Sequence, residues 1–212
     1  MDKINIALRS DEPSRAVTIH RFEELFELSY FPQLEFADWE VESWIRHKCA
    51  WAHKKGYIGQ LALWLGKLHG HQIEEGDIKD ITIRWINENI GYGAFTERPF
   101  KKWEFIGEYT GLLRRRSLLF SDLNDYCFMY PREWVSYKLY AIDSADQGNF
   151  TRFINHSDFP NLESVAVFKD GLFHIIFRAI QDILPGSQLS YDYGDVYWNT
   201  REKVHEREPV WV

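Results

Sequence analysis

The sequence predicts a mainly β fold with some α, in the α+β class, and three observations carry that expectation. Beyond Asp80 apolar residues alternate with polar ones at strand spacing, beginning with Ile81, Ile83 and Trp85. Before Asp80 the apolar spacing is helical, so the first ~80 residues read as mainly helical. Helices and strands are not interleaved, which excludes the doubly wound parallel sheet of a dinucleotide-binding enzyme.

Taken in order, Trp44, Lys48 and Trp51 share one helical face, and Tyr57–Leu68 is a compact apolar helix. His69–Asp80, with two glycines and many charges, reads as a boundary loop. After Ile81–Trp85, further strands are expected at Trp103–Gly111, Tyr126–Tyr130, Trp134–Ala141, Leu162–Phe168 and Leu172–Ala179. Asp170-Gly171 is a hairpin turn signal, because both residues tolerate the positive φ of a tight turn. A brief helical turn is expected near Asn149–Ile154. The organisation is therefore a helical N-terminal extension over 1–80, a β unit over 81–198 and a helix-compatible tail over 199–212.

Bulk composition narrows the function. The chain has 212 residues, 25 basic against 32 acidic, and a net charge of −7. Direct nucleic-acid binding needs a cationic surplus, so it is not expected, and an acidic surface suits a basic protein partner. No apolar run is long enough to span a bilayer, and Met1–Arg15 lacks a signal peptide's basic start and apolar core. That leaves the cytoplasm, the nucleus or delivery into a host nucleus by a dedicated route. Two cysteines, Cys49 and Cys127, make neither a disulfide framework nor a four-ligand zinc site, and no metal is expected. His69 and His71 lack a third ligand and read as solvated, as does the run Arg114–Arg116. Aromatic residues make up 17% of the chain, enough to line a cleft for a cation or a planar ring as well as the core.

The chemistry-bearing motifs lie in the β half. Gly91-Tyr92-Gly93 fails as a dinucleotide fingerprint, because the third glycine and the following helix are missing. Downstream come Glu108-Tyr109-Thr110-Gly111, Asp125-Tyr126, Gly148-Asn149, Arg152-Phe153-Ile154-Asn155-His156-Ser157, Pro160-Asn161 and Tyr191-Asp192-Tyr193-Gly194. Neither cysteine stands in a nucleophile motif. In order and spacing this set resembles the SET-domain protein lysine methyltransferases over Ile81–Trp198, in a compact form similar to bacterial and viral members.

The resemblance implies S-adenosylmethionine as cofactor and a SET fold of small curved sheets with a pseudoknot. In that pseudoknot the Arg152–Ser157 segment passes beneath the chain's end. It further implies that Ile90, Tyr92 and Gly93 hold the cofactor through backbone atoms, and that Asn155, His156, Arg152 and Tyr126 surround it. Tyr193 corresponds to the active-site tyrosine, Tyr109 to a wall of the lysine channel, and Tyr191 to the residue that limits methyl number, favouring mono- or dimethylation. The expected substrate is a histone or histone-like basic tail.

One departure stands out. Many nuclear members carry a zinc-binding cysteine directly after Asn-His-Ser, where this chain has Asp158, and no cysteine follows Cys127. Tyr197, Trp198 and Trp211 are the candidates to close the cofactor pocket instead. The N-terminal helical region is expected to dock substrate or form a homodimer. A catalytically silent SET-shaped module that binds cofactor or a lysine tail is the alternative of another class.

Overall fold

The computed structural model describes residues 3–9, 11–76, 80–117, 124–131 and 139–198. The first part holds strands β1 (Lys3–Ala7) and β2 (Arg15–Thr18), helix α1 (Ile19–Phe26), and the two-residue strands β3 (Ser29–Tyr30) and β4 (Glu35–Phe36). Helices α2 (Trp39–Lys54), α3 (Gln60–Leu68) and α4 (Gly70–Glu75) follow. α2 begins where the Asp38 carboxylate accepts from the Val41 amide at 2.8 Å, with Glu40 and Glu42 in the first turn and His53 and Lys54 in the last. Its buried stripe is Val41, Ile45, Cys49 and Ala52.

Two expectations need correction here. The helices are present, but the first 80 residues also contain four strands that join sheets with later ones. The expected loop His69–Asp80 contains α4, whose charged residues face solvent while Ile73 is buried, and Gly76 ends it at φ 58°.

The second part contains β5 (Ile81–Asn87), β6 (Gly91–Thr96), β7 (Phe105–Glu108), β8 (Leu112–Arg115), β9 (Cys127–Met129), β10 (Tyr140–Asp143) and β11 (Gln147–Gly148). A 3-10 turn at Phe150–Phe153 leads to β12 (Asn155–His156), β13 (Leu162–Lys169), β14 (Leu172–Ala179), β15 (Ser190–Tyr191) and a short helix α5 (Asp195–Trp198). Of the expected strand Trp134–Ala141, positions 134–138 lie outside the described residues, and β10 begins at Tyr140.

The described strands form small sheets in the orders β2-β1-β5-β6, β4-β8-β10-β9 and β13-β14-β7, with the pairs β3-β11 and β12-β15. The β13–β14 hairpin turns on Asp170 (φ 49°) and Gly171 (φ 80°), as its turn signal predicts. Parallel contacts β1–β5, β3–β11 and β4–β8 tie the first part of the chain to the second. One hydrophobic cluster contains Ile4, Phe22 and Ile45 together with Leu113, Phe150, Phe177 and Tyr191. α3 lies directly on β13, where a Cβ built on Gly66 would sit 2.0 Å from the Phe168 carbonyl oxygen, so only glycine permits that approach.

Two side chains expected to be solvated are not. His69 is buried with its Nδ1 2.9 Å from Gln72 Oε1, because the α3–α4 junction packs its ring on Phe105. Arg114 pairs with Asp143 at 2.8 Å across β8 and β10, both largely buried. Desolvation works against the Asp143 anion, but bonds from Asn124, the Ala145 amide and Arg114 outweigh it and hold its carboxyl below the usual range. Among the described residues no helix is long and apolar enough to cross a membrane, and no acidic, His or Cys cluster could hold a metal ion.

Candidate active site

The site is assembled by a strap. β12 and β15 pair in parallel, setting Asn155 against Ser190 and His156 against Tyr191. Asn161 clamps the pairing with three bonds: its amide donates to the Ser190 carbonyl at 3.2 Å, its Nδ2 to the Gln188 carbonyl at 2.7 Å, and its Oδ1 accepts from the Ser190 amide at 3.0 Å. Asn149 works at the other end of the segment. Its Oδ1 accepts from the Thr151 amide and its Nδ2 donates 2.8 Å to the Glu108 carbonyl, which starts the 3-10 turn and ties it to β7. The Asn-x-Thr and Pro-Asn spacings are the only signals in the sequence for these two asparagines, and no role was expected of either.

On one side of the strap lies β6. Asn155 Nδ2 donates to the Tyr92 carbonyl at 3.1 Å. A Cβ on Gly93 would fall 2.6 Å from Ile86 Cδ1 and 3.1 Å from Asn155 Nδ2, so a side chain there would fill the space beside Asn155. The Tyr92 ring packs on Phe26 and Trp85, at centroid distances of 4.9 and 5.1 Å, which leaves its backbone as the part that faces Asn155. Ile90 stands exposed in the β5–β6 turn, its amide bonded to Asn87 Oδ1. Two surface hollows of about 450 and 420 Å³ border Trp85 on the N-terminal side of the sheet, and neither is lined by Asn155, His156 or Tyr193.

On the other side the aromatics converge. The Tyr193 amide donates to His156 Nδ1 at 3.2 Å and its hydroxyl to the Ile154 carbonyl at 3.1 Å. Its ring contacts Tyr191 at 4.8 Å and Tyr197 at 4.6 Å. Tyr191 packs against Phe177 at 4.7 Å and stacks on Phe128, which also meets Tyr109. The Tyr109 hydroxyl donates to the Tyr126 carbonyl, and the Arg152 guanidinium sits 4.0 Å over the Tyr126 ring while bonding the Ala145 carbonyl at 3.0 Å. Burial raises the phenols of Tyr109, Tyr191 and Tyr193 well above the ordinary tyrosine value. At neutral pH they remain hydroxyl donors and do not supply a phenolate base.

Trp198 covers this end, 4.8 Å from the His156 ring and stacked on Tyr193. Its indole Nε1 is buried without a hydrogen-bond partner, as is Arg152 Nε. The structure thus brings together Asn155, His156, Tyr191, Tyr193 and Trp198, and links Tyr109, Tyr126 and Arg152 beside them. Trp211 lies outside the described residues.

The SET domain profile matches residues 91–194. The chain is 39% identical over 113 residues to histone-lysine N-methyltransferase Set8 of Drosophila melanogaster, which covers 50% of this chain and 16% of that protein. It is 34% identical over 131 residues to N-lysine methyltransferase KMT5A-A of Danio rerio, covering 58% of this chain and 36% of the relative. Among solved structures, the Chaetomium thermophilum polycomb repressive complex 2 aligns over 62% of this chain and 17% of its own, at 28% identity and a TM-score of 0.51. This chain therefore spans well under half the length of these relatives.

Proposed function

Because residues 91–194 place this chain among the SET-domain proteins, we propose that it transfers a methyl group from S-adenosylmethionine to the side-chain amine of a protein lysine. The observation that carries this is the strap, which pairs Asn155 with Ser190 and sets His156 against Tyr191 and the Tyr193 amide. A cofactor fits there on two counts. Gly93 leaves its backbone bare beside Asn155, where a Cβ would collide with Ile86, and the buried Trp198 Nε1 offers an unclaimed donor to a planar heteroaromatic group.

Ile90, Tyr92, Gly93, Asn155 and His156 would hold the cofactor, with Arg152 and Tyr126 beside them and Trp198 over the ring. When bound, it supplies a methyl group already activated on a sulfonium. Tyr109, Tyr191 and Tyr193 line the approach of the lysine. A lysine amine has an ordinary pKa of about 10.4, and its transfer into this aromatic surround disfavours the ammonium form. With the tyrosines held protonated, the amine's proton leaves to solvent, and the chain contributes alignment of the amine. Tyr193→Phe is expected to lower methyl incorporation from labelled cofactor by about 100-fold, the scale for one preorganised donor. Full labelling by that variant would refute the assignment.

Tyr191 is nearly fully buried between Phe177 and Tyr193, so its hydroxyl competes with a further methyl for space. Mono- or dimethylation follows, and Tyr191→Phe should shift product toward higher methylation in mass spectrometry. Wild-type protein that already trimethylates would exclude this. A histone or histone-like basic tail is the substrate class favoured by the chain's net acidity, and the work would lie in the cytoplasm or in a nucleus, the cell's own or a host's. Cofactor binding without labelling of any histone would favour the silent binding module.

The organisation into 1–80, 81–198 and a pocket-closing tail over 199–212 is part of the same proposal. Chains ending at Trp198 should bind cofactor more weakly in calorimetry, and equal affinity would remove Trp211 and the tail from the pocket. Homodimerisation would use the outward face of α2 and α3, whose aromatics are exposed.

A further inference from the structure

His156 is engaged at both ring nitrogens, and the two contacts are not independent. The Tyr193 amide donates to Nδ1 at 3.2 Å, so Nδ1 must be the bare acceptor nitrogen. In a neutral imidazole the proton then sits on Nε2, which lies 3.3 Å from Asp158 Oδ1. A second carboxylate, Asp192, stands 3.6 Å from Nδ1 and accepts the Gly194 amide at 2.9 Å. The ring is almost wholly enclosed, with the His156 side chain 8% exposed and Trp198 and Tyr193 packed on it. Two tautomers therefore compete. With the proton on Nε2, His156 bridges Asp158 to the Tyr193 backbone. With the proton on Nδ1, it points toward Asp192 and sets donor against donor at the Tyr193 amide.

We propose that Asp158 is a positioning residue that selects the Nε2–H tautomer of His156 and so holds the Tyr193 backbone against the β12 strand of the strap. A carboxylate suits this task because it can only accept, whereas an amide or hydroxyl can also donate and so stabilise the wrong tautomer. The proposal rests on Tyr193 being the active-site tyrosine, but the tautomer itself does not.

The test separates tautomer selection from loop shape. Asp158 lies in a turn where the Phe159 amide donates to Ser157 Oγ at 3.0 Å, so a purely structural role would tolerate the isosteric Asp158→Asn and suffer from the longer Asp158→Glu. Tautomer selection predicts the reverse. Asp158→Asn should lower kcat about tenfold, with KM for the peptide within about twofold, and Asp158→Glu should restore most of the rate. Imidazole nitrogen NMR on the cofactor-free protein, with the His156 signal assigned by its loss in His156→Gln, should show Nε2–H in wild type. In Asp158→Asn a population of Nδ1–H should appear. Nδ1–H in wild type, or Asp158→Asn unchanged in both NMR and kcat, would overturn the proposal. Absence of methyl transfer by wild type would refute the proposed activity while leaving the NMR result to decide the tautomer.

Discussion

The outward face of α2 and α3 and the surroundings of Tyr193 use the same kinds of side chain to opposite ends. Trp44, Trp51, Tyr57 and Trp64 are 41–57% exposed, and Lys48 lies over Trp44. Tyr109, Phe177 and Tyr191 are buried, and the hydroxyls of Tyr109 and Tyr193 are each given a backbone carbonyl. An aromatic ring settles where both its apolar body and its polar end are accommodated. The strap supplies carbonyls at the right places, whereas Trp44 on the outer face of the helices carries Lys48 over its ring. Charge divides the same way. Ser43–Ile73 contains five Lys or Arg and four His with no Asp or Glu, so the chain's acidity is concentrated outside it.

Substitutions on the two sides can break or sharpen this contrast. Phe177→Ala removes a fully buried ring from between Tyr109 and Tyr191 and should cost about 3–5 kcal/mol in denaturant unfolding. A loss below about 1 kcal/mol would mean the aromatic surround is not part of the core. Gly66→Ala, on the inner side of α3, forces a methyl against the Phe168 carbonyl. It should cost about 1–3 kcal/mol despite alanine's better helix propensity, and a more stable variant would show that α3 does not seat on β13. Trp64→Ala, on the outer side of the same helix, should change stability by no more than about 0.5 kcal/mol and leave methyl transfer intact. Sedimentation of the same variant reads the dimer: a wild-type dimer lost on Trp64→Ala supports self-association through this face, and a monomeric wild type excludes it.

The β13–β14 hairpin was legible almost residue for residue, because apolar runs rich in Val, Ile and Phe flank a turn that only certain residues can make. The five two-residue strands β3, β4, β11, β12 and β15 were not, since two residues carry no period and their pairing partners are distant in sequence. α4 was hidden by its charges and bounding glycines. In the site, the motif residues could be put forward from sequence as candidates, but their couplings could not. The Asn161 clamp, the inward turn of the Tyr92 ring and the Asp158–His156–Tyr193 chain all depend on atoms brought together by the strap.

The strap also orders events in time. Asn155 and His156 acquire their strap partners only when Ser190–Tyr193 arrives, after the intervening β13–β14 hairpin has been made and can close on its own local contacts. A chain growing from its N-terminus would hold a formed hairpin and a waiting Asn-His-Ser segment, yet no closed strap. Competence would come in a single late step, so incomplete copies of this protein would be inert and not weakly active.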